Sequence, residues 1–435
     1  MTRDCVLLTD AEERSVLGAC RALKRAGYQT SAVARSRPAA THWSRSCAER
    51  FLLPDPRDSV PAFVGRLEEV LRRKEYAAVI PGSEAALLAI SKHRSRLECL
   101  TRLGLPPHEA VRRSVDKLWL LRLATEVGLP PPASASCADA DAAALVAQEL
   151  GFPVVLKPAT SFLRSGEGLR QQGVCVVEDE AALVREVPLF GTPFIVQRFE
   201  SDSFLFSCSG VVADGRLLAL TTSRARRLWP PTAGMHAFAE TVPVPDGLAD
   251  RVRALLAALG WRGIFQIQML EMPGGRFSAI DLNPRLFASV SLDARAGANL
   301  AAVWCDWLLE RRPTPVTARP GIRYRWEEGE LCHLAWQLQR RRFRAAASVV
   351  LPHRRVEHAW FRLTDPGPLL ARALSLGLRA IKSRFSREPT DPKKTAIVHA
   401  ALSAPGQRPV VPNGNAFLDA ESNDSNLRRS SQERA

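Results

Sequence analysis

Two runs of alternating side chains, joined by a glycine turn, constrain this chain more than any other feature. Residues 264–271 contain Gln266-Ile-Gln268, the turn is Met272-Pro-Gly-Gly275, and the return run is Phe277-Ser-Ala-Ile-Asp281-Leu-Asn283-Pro-Arg285. The pattern predicts strands over 264–271 and 276–281. Side chains alternate with period two along a strand, so Asp281 and Asn283 share a face. A carboxylate beside an amide oxygen is a hard-oxygen pair suited to magnesium, which keeps few protein ligands. Gln268 can face Asp281 across the hairpin. Arg285, just past the strand, is a planar fork for phosphate oxygens. The same residues also suit an ordinary hairpin with a polar face, and the pattern alone does not choose.

Upstream, residues 4–9 read as a short buried strand. Val16, Leu17, Cys20, Leu23 and Ala26 follow at helical spacing and stop at Gly27. A strand at 28–34, a helix at 60–74 and a strand at 77–80 complete a β-α-β-α-β run, which implies a parallel sheet with covering helices. No GxGxxG occurs in it. A helix over 116–127 opens with Ser114-Val-Asp116-Lys117 and ends at Gly128. From 152 the pattern turns to strands at 152–157, 173–177, 194–197, 204–212 and 217–222, then a helix at 247–259. That is an α+β region on an antiparallel sheet. Gly151-Phe-Pro-Val-Val-Leu-Lys157 closes an apolar strand with a lysine. A buried ammonium needs a partner, and phosphate is a natural one; an exposed strand end is the plainer alternative. The loop Ser165-Gly-Glu-Gly168 has backbone amides that could close over phosphates.

The order of these pieces resembles the ATP-grasp superfamily over roughly residues 1–310. Its specific parts are Phe152-Pro-Val-Val-Leu-Lys157-Pro and Asp281-Leu-Asn283-Pro-Arg285. The first unit, with Ile80-Pro-Gly-Ser-Glu84, looks like the pre-ATP-grasp domain. Within the superfamily the chain looks most like carboxylate–amine ligases and D-aspartate-ligase-like carboligases. The resemblance implies a parallel α/β domain at 1–110, an ATP-grasp domain at 111–310, a basic unit at 311–385 and a disordered tail at 386–435. It implies that Lys117 and Lys157 hold ATP phosphates and that Gln197, Arg198, Phe199 and Glu200 pass the adenine. Asp202 is the ribose contact. Gln268, Asp281 and Asn283 bind Mg2+, and Arg285 stabilises an acyl phosphate. Arg224 and Arg227 fall on a basic strand near the substrate, with His236 in the following loop. The chain departs from the family pattern at Asp281, where glutamate is usual, at Gln268, where an acid is usual, and at Arg198 in the hinge.

The implied activity is an ADP-forming ligase that joins a small carboxylate to an amine through an acyl phosphate. The alternative is a nucleotide-binding regulatory module with the same fold and little chemistry. Nothing in the sequence names either substrate or an oligomeric state.

Charge adds a further expectation. The net charge is +15, and between Arg311 and Ser383 there are 15 Arg/Lys against 5 Asp/Glu, so most of the excess lies there. Such a field favours an anionic partner, although an arginine-rich genome produces the same bias. No zinc finger, helix-turn-helix or RNP-type motif is present, so nucleic acid is not the expected partner. Leu370, Leu374, Leu378, Ile381 and Phe385 fall on one helical stripe, with Arg372, Arg379 and Lys382 projecting elsewhere. A helix over 369–385 could rest on an anionic membrane or pack on the body of the protein. The nine cysteines are scattered, and no 18-residue apolar run or signal-like core occurs. The expectation is a cytoplasmic protein with reduced thiols, peripheral to the inner membrane face if that helix binds lipid.

Overall fold

The computed structural model describes residues 4–165, 168–231 and 233–385. The chain opens with β1 (Cys5–Leu8), α1 (Arg14–Arg25), β2 (Gln29–Ala34), β3 (Glu49–Leu52), α2 (Val60–Leu71), β4 (Ala78–Ile80) and α3 (Glu84–Lys92). The four strands form a parallel sheet in the order β3-β2-β1-β4. β1 is buried at every position, as a strand covered on both faces must be. α1 stops at Gly27, whose φ of 93° an L side chain rarely adopts. Ser59 and Ser83 cap α2 and α3 by accepting from the amides of Ala62 and Ala86. The expected β-α-β-α-β run is present. The edge strand β3 was not foreseen, because its burial alternates and its sequence, Glu-Arg-Phe-Leu, carries charge.

A helical stretch follows: α4 (Arg94–Leu97), α5 (His108–Val115) and α6 (Lys117–Glu126), the last capped by Asp116. Then come β5 (Ser134–Cys137), α7 (Ala140–Leu150), β6 (Val154–Pro158), β7 (Phe162–Ser165), β8 (Gly168–Gln171), β9 (Cys175–Val177), α8 (Glu180–Glu186) and β10 (Phe194–Arg198). A four-stranded antiparallel sheet runs β5-β10-β6-β9, with its apolar face closed by α7 and α8. β7 and β8 form a separate hairpin on the expected glycine loop; Gly166 and Glu167 at its tip lie outside the described residues.

The rest is built on an eight-stranded sheet. Its members are β11 (Phe204–Ala213), β12 (Arg216–Trp229), β13 (Met235–Val242), β14 (Gly263–Met272), β15 (Arg276–Asn283), β16 (Val316–Thr317), β17 (Arg323–Arg325) and β18 (Val356–His358). The order is β15-β14-β11-β12-β13-β17-β18, with β16 on β12. The helices are α9 (Leu248–Leu259), α10 (Val290–Ala296), α11 (Leu300–Leu308), α12 (Glu327–Gln339), α13 (Phe343–Val350) and α14 (Gly367–Phe385). One face of the sheet packs through Phe206, Phe265, Met269 and Leu282 against α9 and the helices before β5. Part of the other face packs through Val211, Leu218 and Ile264 against α1, α10 and α11.

Two boundaries differ from expectation. β12 continues past Thr222 to Trp229, and β13 follows where a loop was expected. The arginine-rich end of β12 is stable as strand because each arginine has an acid beside it. Arg224 pairs with Glu271, Arg226 with Glu240 and Arg227 with Glu330. Among the described residues after 311 there is no separate sheet, since β17 pairs with β13.

Candidate active site

The site is built where the two antiparallel sheets face each other. Its key is a bulge in β15. Gln268 pairs with Asp281 and Gln266 with Asn283, but Met269 pairs with Ala279, which leaves Ile280 as an extra residue. Phe277 and Ala279 point into the core, and by simple alternation Asp281 would follow them. After the bulge it is Leu282 that enters the core instead. Asp281 and Asn283 are thereby turned to the face of Gln266 and Gln268. Re-aiming a side chain is what an extra strand residue does.

That face is polar across four strands. Ser207 and Ser209 of β11 pair with Gln268 and Gln266 on one side, and with Ser223 and Thr221 on the other. All four hydroxyl residues are buried. Behind them, Ser209 Oγ donates to Asp293 of α10 at 2.6 Å. Burial pushes the Asp293 carboxyl up to about 7, against the Ser209 and Thr221 hydroxyls. The alternation of hydroxyls in β11 and β12 was visible in the sequence and was not read as part of a site.

Three cations converge on Asp281. Lys117, the first residue of α6, places Nζ 3.2 Å from Asp281 Oδ1 and donates to Ser161 Oγ at 3.2 Å. Burial disfavours its charge, but Asp281 and Glu84 outweigh burial and raise its pKa. Lys157 reaches from β6 to the bulge, where Nζ donates to the Ile280 carbonyl at 3.4 Å. Burial brings the Lys157 ammonium down to about 8; Asp281 works against this and Lys117 with it. Arg285 donates to Asn283 Oδ1 at 3.1 Å and to the Leu286 carbonyl at 2.8 Å, while its Nε is buried without a partner. Asn283 in turn donates to Gln266 Oε1 at 3.3 Å.

Glu84 completes the group. It opens α3 at the C-terminal edge of the parallel sheet, is buried, and leaves Oε1 unpartnered. Burial raises its pKa; Lys117 and Arg285 oppose this, and Asp281 adds to it. The sequence offered Glu84 only as part of a resemblance, because a strand-to-helix turn does not reveal what lies opposite it. The β7–β8 hairpin leans on the same edge, its Leu169 amide donating to the Arg57 carbonyl at 2.7 Å.

The hinge residues lie at the far side of β6. Gln197 and Arg198 are paired in the ladder with β6. Gln197 is buried with its Nε2 unpartnered, and the Arg198 side chain is exposed. Phe199, Glu200 and Asp202 belong to the short crossing between the two antiparallel sheets.

The structure does not bring Arg224, Arg227 or His236 to the cations. Arg227 is held by two bonds to buried Glu330, at 2.7 and 2.6 Å, and lies over the Phe238 ring. That pairing ties β12 to α12, so in this structure Arg227 bridges these two elements. Arg224 is held by Glu271. His236 is on β13 rather than in a loop, 3.5 Å from Ser207 Oγ, and burial lowers its pKa to about 4.

Whether the residues fit a nucleotide and a metal can be judged from this geometry. Among the described residues, Lys157 is a buried cation with no carboxylate within ion-pair distance, and Arg285 Nε is a buried donor without a partner. Both fit phosphate oxygens. Asp281, Asn283 and Gln268 form an oxygen-rich edge suited to a hard cation.

No model of a known protein family matches the chain. The N-terminal section of the carbamoyl phosphate synthase large chain of Aquifex aeolicus is 23% identical over 291 residues. That match covers 64% of this chain and 51% of the relative, so the chain spans about half the relative's length. Among solved structures, the biotin carboxylase domain of Hydrogenobacter thermophilus 2-oxoglutarate carboxylase, in complex with MgADP, ADP and bicarbonate, superposes with a TM-score of 0.57. It is 15% identical, with 74% of each chain covered. The L-amino acid ligase of Bacillus licheniformis gives 0.54 at 16% identity, covering 73% of this chain and 79% of that one. The carboxyaminoimidazole ribonucleotide synthase of Aspergillus clavatus, complexed with ATP, gives 0.56 at 14%, covering 73% and 80%.

Proposed function

This chain has the ATP-grasp fold, and from that premise we propose that it is an ATP-dependent, ADP-forming ligase that activates a carboxylate and passes it to an amine. The observation that carries this is Lys157. An ammonium buried between two sheets, its pKa held down to about 8 by burial despite the nearby Asp281, is costly, and an arriving phosphate lowers the cost.

Lys117 and Lys157 hold the phosphates of ATP, and the crossing after Arg198 lies along the adenine. Asp281, Asn283 and Gln268 would hold Mg2+, which when bound would neutralise charge on the phosphates. A carboxylate oxygen of the substrate attacks the γ-phosphorus in line. The new O–P bond forms as the bridge to the β-phosphate breaks, and ADP leaves. Arg285 neutralises the acyl phosphate. The amine nitrogen then attacks the acyl carbon, the C–O bond to phosphate breaks, and inorganic phosphate leaves with the amine proton lost to solvent. Positioning and charge neutralisation do most of the work in such transfers. Glu84, beside Lys117 and Arg285 on the wall made by the parallel sheet, is placed to receive the amine.

The test is phosphate release from ATP and Mg2+ across a panel of carboxylates and amines, with Lys157→Ala as the inactive control. Carboxylate-dependent release that the control lacks supports the ligase. Tight nucleotide binding without turnover on any pair would leave the regulatory reading.

A further inference from the structure

The hairpin of α12 and α13 keeps large apolar side chains on its outside. Leu331 and Leu338, two turns apart on α12, are 65% and 47% exposed. Phe343 and Val350, two turns apart on α13, are each 65% exposed, and Leu351 follows at 56%. Trp336, Ala346 and Val349, on the inner sides of the same helices, are buried. α12 packs through Glu330, His333, Trp336 and Gln337 and α13 through Ala346 and Val349, so the outward apolar side chains take no part in that packing. A surface helix with a single core-facing stripe would be polar outside, and an apolar patch of this size marks an interaction site.

The charge around the patch is of one sign. Arg341 lies in the turn between the helices, Arg344 in the first turn of α13, and Arg354 and Arg355 just after Leu351; all four are exposed. The acids of this stretch are engaged elsewhere. Glu330 holds Arg227, Glu357 holds Arg362, Glu328 holds Arg372 and Asp365 holds Arg21. Glu327 accepts from the backbone amides of Trp360 and Phe361. Among the described residues none of the four arginines has a carboxylate within ion-pair distance.

We propose that the α12–α13 hairpin is a docking element for an anionic membrane surface, with the apolar stripes entering the interface and the arginines meeting lipid phosphates. Amphipathic helices with a basic flank bind in this way. A second copy of the chain fits worse, because two such faces bring like charges together. Nucleic acid would satisfy the arginines but leave five large apolar side chains in water. No helix among the described residues is long and apolar enough to cross a membrane, so the element lies on the surface. The start of α14 is tied to the start of α12 by Arg372 and Glu328, and Leu370, Leu374 and Leu378 on it are exposed as well. Ile381 and Phe385, the rest of that stripe, lie outside the described side chains.

The experiment is co-sedimentation of the full chain with vesicles of phosphatidylcholine, with and without phosphatidylglycerol, at low and high salt. Binding is expected only with phosphatidylglycerol and is weakened by salt. Each arginine near an anionic surface is worth roughly five-fold. Replacing Arg341, Arg344, Arg354 and Arg355 by Ala should therefore lower the partition coefficient by at least about 100-fold. Phe343→Glu with Val350→Glu should abolish binding, with nucleotide affinity unchanged as the folding control. The proposal fails if the wild type stays in the supernatant at low salt, binds neutral vesicles equally, or binds unchanged after the double glutamate substitution. A dimer in light scattering that the same substitution breaks, or a salt-sensitive shift of duplex DNA that survives it, also overturns it.

Discussion

Lys157→Met should make the free protein more stable while stripping it of nucleotide affinity. Burial holds the Lys157 ammonium at about 8 against an ordinary 10.5. At 1.36 kcal/mol per pKa unit that difference is roughly 3 kcal/mol. The sign follows from proton counts. Between pH 8 and 10.5 the unfolded chain binds more protons at this residue than the folded one, so stability rises with pH through that window. Below pH 8 the folded protein carries the full cost of the buried charge. Methionine keeps much of the volume and removes the charge, at the expense of one long hydrogen bond to the Ile280 carbonyl. Urea unfolding at pH 7 should therefore shift to a higher midpoint at unchanged slope, by up to about 3 kcal/mol. The gain should disappear by about pH 10.5. Calorimetry with Mg2+ and a non-hydrolysable ATP analogue should show affinity falling by at least about ten-fold, the scale of a lost charge-assisted bond. A destabilised variant that binds the analogue as well as the wild type would refute the reasoning, because the lysine would then be a structural strut.

Asp281→Asn should leave the fold intact and lower ATP turnover at least about 100-fold, since it removes the carboxylate of the proposed metal edge and the Lys117 partner; wild-type turnover by the purified variant would displace the site. Arg227→Ala should cost roughly 2–4 kcal/mol by stranding Glu330, softened by Arg325 at 3.5 Å, yet leave nucleotide affinity within about two-fold. A large loss of affinity without a stability change would restore a role for Arg227 at the substrate. Asp293→Asn addresses pH dependence. The folded carboxyl titrates near 7 rather than 3.8, so the folded state binds the extra proton between those values and stability falls as pH rises through them. The variant should lose that slope and exceed the wild type in stability above pH 7, as thermal unfolding at pH 5 and 8 would show.

Much of the fold was legible because its strands and helices obey simple periods. β1 and β4 are continuous apolar runs, and α1 and α9 repeat apolar residues at helical spacing. Charge inside a strand is one thing that hides it. The apolar run of β12 ends at Thr222 and isolated arginines beyond it disfavour a sheet; only the positions of Glu271, Glu240 and Glu330 show why they do not here. Those partners are 47, 14 and 103 residues away in the chain. The same distance problem hides the partner of Arg227. A basic residue in a basic strand looks free until the acid that holds it is known.

The pairing of Gln268 with Asp281 was anticipated, but the reason for it was not. Even spacing from Phe277 predicts Asp281 on the core face, where a carboxylate would cost several kcal/mol. The sequence does carry the remedy. Ala279 and Ile280 are consecutive apolar residues, and two in a row break the alternation. An extra residue must therefore stand between the inward set Phe277 and Ala279 and the inward Leu282. The bulge has a second effect. The register shift there leaves the Ile280 carbonyl available to the buried Lys157 ammonium, before any phosphate arrives. One inserted residue thus turns Asp281 and Asn283 toward the cleft and gives the Lys157 ammonium its resting partner. Deleting Ile280 should undo both at once, burying Asp281 and orphaning Lys157, whereas Ile280→Val, which keeps the backbone register, should be tolerated. Equal solubility and equal nucleotide binding of the deletion and the valine variant would show that the register carries no such duty.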